Sequence, residues 1–223
     1  MYVKPLESKN NLFSNKEEKE LENKYNIKNV RLKEVDKNIL YNILENMEEV
    51  YKEFPQLKDK LKEIKAINSE KSGLNITPDI NDGKYVMEIS SEDFSVESKT
   101  EERYKADLKN NFHPKGTTYK NMGQHELGHC AIYEVIKKKY TRKDDIVNDW
   151  NNNITAEEIT QKAFDNLGIS DKITKSMLRK NISEYSISNY GETIAEAFAD
   201  YYSNKNNAHV LSKEIIKVMK GMM

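Results

Sequence analysis

The segment Gly123-Gln-His125-Glu126-Leu-Gly128-His129 carries a His-Glu-x-x-His pattern in a chain that has only four histidines. On an α-helix, residues four apart lie on one face, one turn apart. Two imidazoles held that way can reach a single Zn²⁺. The glutamate directly after the first projects beside the ion, where it can take a proton from a water. The chemistry implied is metal-assisted hydrolysis, with His125 and His129 as ligands and Glu126 as general base.

A catalytic zinc needs a third protein ligand and a position left open for water. The stretch Tyr190-Gly-Glu192-Thr-Ile-Ala-Glu196-Ala-Phe-Ala-Asp200 offers it. Glu192, Glu196 and Asp200 step by four along one helical face, and Ile194, Ala195, Phe198 and Ala199 can pack the other side. Small alanines let such a helix come close to its neighbour. Three acids on one face are ordinarily a solvated face. The apolar surroundings and the upstream histidine pair favour a face turned to a metal.

HELGH followed by E-x-x-A-E-A-F resembles the gluzincin metallopeptidases, in particular the catalytic domain of the anthrax lethal factor family. It is also similar to zincin-like domains of phage minor head proteins and mobile elements. The resemblance covers roughly residues 110–205, and more loosely the chain from about 35 onward. It implies an α+β, zincin-like metallopeptidase fold, mostly helical with a small mixed sheet, and one Zn²⁺ per chain. Glu192 then matches the third ligand, and Glu196 an acid that orients the site, as such acids commonly brace ligating histidines. Tyr185, seven residues before Glu192, matches a tyrosine near the water on the zinc and is the candidate for stabilising an oxyanion. Asn189, three before Glu192, fits the pattern as the helix cap.

The chain departs from the family in the long stretch between His129 and Glu192, which leaves the shape of the substrate cleft open. The large toxin domains that bind a delivery partner are missing as well, so nothing supports a kinase-directed substrate. The expected function is zinc-dependent hydrolysis of peptide bonds by an endopeptidase of a phage or mobile element. Two alternatives stay open. One is a zincin-like structural or interaction module of a phage head that cleaves little. The other is an antirepressor-type regulatory metallopeptidase, although the spacing in those is usually shorter.

Composition narrows the classes further. At 223 residues the chain is one large domain or one domain with an appendage. The net charge of −1 gives no argument for a nucleic-acid groove or an anionic membrane surface. The one cysteine, Cys130, excludes an internal disulfide and reads as a small buried hydrophobe rather than a soft ligand. The first residues contain no apolar core of a signal peptide, and no apolar run approaches membrane-spanning length. The expectation is therefore a cytoplasmic or virion-associated protein. Its partners would be a protein or peptide substrate and phage particle proteins, with no nucleic acid and no membrane.

Hydrophobic spacing suggests the elements that must position these residues. Residues 1–25 are polar and read as poorly ordered or as a peripheral arm. The metallopeptidase domain is expected over 26–223. Ile39, Leu40, Ile43, Leu44, Met47, Val50, Tyr51 and Phe54 recur at helical steps until Pro55, and Leu57, Leu61 and Ile64 continue that spacing. Strands are expected near 66–70 and 84–90, with a third around 112–118. The strand Tyr85–Ser90 could pair with an extended peptide. His113, beside Pro114, could face the cleft, but a lone histidine near a proline turn reads first as solvated. The metal helix is expected over about 119–138, a helical insertion over about 140–182, and the third-ligand helix over about 189–202. Within the insertion, Thr155 to Glu158 reads as a capping box, Gly168 as a helix stop and Ser170 or Asp171 as the next start, with Trp150 anchoring the excursion. A last helix is expected from about Val210 to Met219.

Overall fold

Ser14 accepts the Glu17 N–H while the Glu17 carboxylate returns to the Ser14 N–H, and this reciprocal cap starts a helix where a loose arm was expected. The computed structural model describes residues 11–68 and 73–223. In it, helix α1 (Asn15–Tyr25) buries Leu21 in the core, and Glu18 accepts the Leu32 N–H at 2.5 Å. The polar arm expected over residues 1–25 is thus corrected from Asn11 onward; residues 1–10 lie outside the described residues. One buried leucine in a charged helix gives almost no periodic signal.

Strand β1 (Asn29–Arg31) leads into α2 (Lys37–Glu53), which Asp36 caps and whose expected stripe from Ile39 to Val50 is buried. Pro55 then opens a short 3₁₀ turn, Pro55–Leu57. The helical spacing read onward through Leu61 and Ile64 is corrected: Leu61–Ile67 is strand β2. The run is too short to be a stable helix, and pairing with β1 and β4 holds it extended with only Ile64 fully buried. Strands β3 (Leu74–Pro78) and β4 (Tyr85–Ser90) complete a four-stranded sheet in the order β1-β2-β4-β3. The sheet is mixed. β1 runs parallel to β2 and β2 to β4, whereas β3 is antiparallel to β4. The strand expected near 66–70 starts five residues earlier and ends three residues earlier, and 69–72 fall outside the described residues.

Helix α3 (Glu97–Lys109) had no apolar stripe to announce it, since it buries only Thr100 and Tyr104. The third strand expected around 112–118 is a turn. The Thr117 N–H donates to the Pro114 carbonyl and Gly116 sits at φ +83°, so the backbone cannot extend. Thr118 caps a 3₁₀ turn, Tyr119–Asn121, and this delivers the chain to α4 (Met122–Lys139).

The segment between the motifs forms α5 (Lys143–Asn152), α6 (Ile154–Asn166) and α7 (Lys172–Ile182). Asp171 caps α7 and Gly168 follows α6 at φ +72°, as expected. Thr155 is not a cap: α6 begins one residue earlier, and Thr155 gives both its N–H and its hydroxyl to the buried carboxylate of Asp149. A 3₁₀ turn, Tyr185–Ile187, leads to α8 (Tyr190–Asn204), and α9 (Val210–Met222) ends the chain. The molecule is mostly helical α+β with a small mixed sheet. Among the described residues, no helix is long and apolar enough to cross a membrane.

Helix α4 lies at the centre, packed by α8, α2 and β3, and is buried on nearly every side. Gly128 is what lets α8 come so close. A Cβ added there would stand 2.8 Å from the Ala195 Cα, a backbone atom that cannot swing aside. Gly128→Ala is therefore expected to push the helices apart and cost about 1–3 kcal/mol of stability. Urea unfolding measures this. An unchanged midpoint would mean the crossing has slack.

Candidate metal centre

Helix α4 stacks His125 and His129 one turn apart, with ring centroids 5.1 Å apart and the planes at 76°. Because α8 crosses at Gly128 and Ala195, Glu192 in its first turn faces both rings. Its Oε2 lies 3.3 Å from His125 Nε2 and 3.4 Å from His129 Nε2. Yet this buried oxygen has no hydrogen-bond partner among the described residues. Neither imidazole is aligned to donate to it. Two ring nitrogens and a carboxylate oxygen, all within 4.8 Å of one another, instead turn toward a common point. A buried carboxylate oxygen left this way is costly. The arrangement fits a cation, and two histidines with a glutamate are a zinc donor set.

The tautomer agrees. His125 Nδ1 lies 2.9 Å from Glu196 Oε1, an acceptor that places a hydrogen on Nδ1 and leaves Nε2 as the nitrogen a cation would take. Burial opposes the charged form of His125, but the Glu192 and Glu196 carboxylates outweigh it and hold its pKa well above the ordinary value. Burial likewise opposes ionisation of Glu192 and of Glu196. The imidazoles beside each outweigh it and keep both carboxyls below the usual range.

Glu126 is buried, and its Oε2 accepts the Ile76 N–H of β3 at 2.8 Å. Its Oε1 stands 3.9 Å from His125 Nε2, beside the ligand cluster. Burial pushes its carboxyl above the ordinary range. A carboxylate so placed can accept a proton and later release it.

Tyr185 comes from the turn before α8. Its ring stacks 6.2 Å from His125, and burial with the adjacent Glu192 charge raises its hydroxyl to about 12. The hydroxyl therefore stays a donor at neutral pH. The turn is held by Arg179 of α7, whose guanidinium donates to the carbonyls of Ser186 and Asn189 at 3.0 Å and to the Thr193 hydroxyl at 2.8 Å. Asn189 caps α8 by accepting the Glu192 N–H at 2.9 Å, which fixes the backbone under the glutamate.

These side chains line a cavity of about 680 Å³ that runs between β3 and α3. Its wall includes Trp150, whose ring meets the His129 and Tyr133 rings edge-on, so the insertion reaches the site through its one tryptophan. Cys130 is buried and outside the ligand cluster, and burial pushes its thiol up well above the ordinary value. The structure brings together His125, Glu126, His129, Tyr185, Glu192 and Glu196.

It also brings in His113, which faces the site rather than solvent. Its Nδ1 lies 3.3 Å from Glu196 Oε1, and its ring packs flat on Tyr104. Phe112 was missed too. It lines the same cavity and stacks on Tyr185. The position of the His113-Pro114 turn just before the metal helix was the one sequence signal available for either.

Comparison with known protein families, with curated proteins and with solved structures finds no match for this chain. The chemistry of the site is therefore read from its geometry.

The two acids of α8 are told apart by metal affinity. Removing a group behind a ligand, as in Glu196→Ala, is expected to weaken zinc about 10–100-fold. Glu192→Ala should lose more, because it removes a ligand. Competition with a chromophoric chelator measures both. The reverse order would put the third ligand one turn further along the helix.

Proposed function

We propose that this chain is a zinc metalloendopeptidase of the gluzincin type, with a zincin-like fold resembling the catalytic domain of the lethal factor family and the zincin-like domains of phage minor head proteins. The observation that carries the proposal is the unpartnered Glu192 Oε2 facing both His125 Nε2 and His129 Nε2. His125, His129 and Glu192 would hold the ion. When bound, zinc supplies Lewis acidity, which brings a water's pKa toward roughly 7 and polarises a carbonyl.

The chain's own residues do the rest. Glu126, anchored through Oε2 on the Ile76 N–H, keeps Oε1 for the proton of the attacking water and later gives that proton to the leaving amine. The Tyr185 hydroxyl donates to the developing oxyanion, a contribution of about 3–4 kcal/mol in comparable sites. Glu196 holds the His125 ring in the tautomer that leaves Nε2 free.

An extended peptide pairs with an edge strand, and the edges of this sheet are β1 and β3. Strand β4, expected for that role, lies between β2 and β3 and has no open side. The edge beside Glu126 is β3, which lines the cavity from Gly73 to Thr77 and gives its Ile76 N–H to Glu126. Substrate is therefore proposed to lie along β3, with its scissile carbonyl beside Glu126.

The direct test is Glu126→Gln in the zinc-loaded chain, assayed against a peptide library. It should keep zinc and lose at least about 10²-fold in kcat/KM, the low end of general-base effects. Full residual cleavage with zinc bound would remove Glu126 from the mechanism. Absence of cleavage by the zinc-loaded wild type would favour a structural module instead.

A further inference from the structure

The loop between α3 and the metal helix touches the site at two places that neither sequence motif contains. Asn111, at φ +53°, turns the chain, a conformation asparagine tolerates. Its carbonyl accepts the Glu184 N–H at 2.7 Å, and the Phe112 carbonyl accepts the Tyr185 N–H at 3.4 Å. The Phe112 ring then stacks on Tyr185 with centroids 4.7 Å apart. Two backbone bonds and a ring contact thus tie this loop to the turn that carries Tyr185.

The next residue ties the loop to the other side of the site. The His113 ring lies parallel to Tyr104 at 4.6 Å and 4°, and the Tyr104 hydroxyl is itself paired with Thr117 at 2.9 Å. The stack presents His113 Nδ1 to Glu196 Oε1 at 3.3 Å, the same oxygen that His125 Nδ1 approaches at 2.9 Å. Glu196 is wholly buried, and its Oε2 has no hydrogen-bond partner among the described residues. The orientation of this carboxylate therefore rests on two imidazoles. One belongs to the metal helix and the other to the loop. A buried acid held by a single partner would be free to rotate away from it.

We propose that His113 is a positioning residue of the metal centre. By donating to Glu196 Oε1 it holds the carboxylate where it accepts the His125 Nδ1–H, and so keeps the His125 Nε2 lone pair turned to the ion. Through Phe112 the same loop seats Tyr185. One short segment thus aligns the ligand side and the oxyanion side together. The inference rests on the zinc-peptidase reading and adds to it a residue outside the His-Glu-x-x-His and E-x-x-A-E-A-F patterns.

The test compares two substitutions in the full chain. His113→Phe keeps an aromatic ring on Tyr104 but has no N–H. His113→Asn gives up the ring but carries an N–H near the place of Nδ1. Zinc affinity is read by chelator competition, the ligand field by the visible spectrum after Co²⁺ loading, and folding by thermal unfolding of the metal-free chain. His113→Phe is expected to weaken zinc about 10–100-fold and to alter the cobalt spectrum, while His113→Asn recovers most of both. Should His113→Phe fail to fold, His113→Leu takes its place in the same comparison. Wild-type affinity in His113→Phe, or equal losses in both variants, overturns the positioning role and leaves the zinc site standing. A wild-type chain that takes up no zinc overturns both.

Discussion

Helices α4 and α8 cross with a glycine against an alanine, and that contact sets the distance on which the site depends. Gly128 stands between the two histidines of α4, and Ala195 stands between the two glutamates of α8. With backbone nearly on backbone, Glu192 reaches the His125 and His129 nitrogens and Glu196 reaches the far side of the His125 ring. A wider crossing would leave the acids short of the imidazoles, and one buried and three half-buried polar side chains without partners. The dense packing around α4, by α2 on one side and β3 on another, leaves the helix little room to shift. The polar cluster thus inherits its geometry from an apolar contact.

Burial of so many ionisable groups is costly unless each is answered. Glu126 is answered by a backbone N–H of β3, Glu196 by two imidazoles, and Glu134 by Tyr85 and Lys60. Glu192 and Glu196 each keep one oxygen unanswered among the described residues, but only that of Glu192 faces both the His125 and His129 Nε2 atoms. This contrast within one helix pair is what separates a ligand from a brace. It is also why the zinc centre is proposed at Glu192 rather than one turn later.

The sequence told most about the site where the chemistry requires fixed spacing on one helix. His125, Glu126 and His129 follow from a four-residue step, and the acid-rich face of α8 follows from the same periodicity. The cap by Asn189 and the helix breaks at Gly168 and Asp171 were legible because capping is local. What could not be read was long-range or weakly periodic. Helix α3 is charged almost throughout, and α1 buries a single leucine, so neither shows an apolar stripe. The start of β2 shows helical spacing because Leu57, Leu61 and Ile64 fall four and three apart, although the strand expected near 66–70 overlaps its end. His113 lies 83 residues from Glu196, and no local pattern joins a loop histidine to a helix that distant. The order of strands, and so the identity of β3 as an edge strand, is likewise a property of the sheet and not of any strand within it.

The central claim is that two histidines and one glutamate hold a single zinc ion with a position left for water. X-ray absorption at the zinc edge of the metal-loaded protein tests it most directly. The account predicts one zinc per chain, with scattering from two imidazoles and from oxygen, and no sulfur in the coordination shell. A sulfur ligand would bring Cys130 into the site and contradict the arrangement described. A shell of four protein ligands with no water would contradict the hydrolytic role.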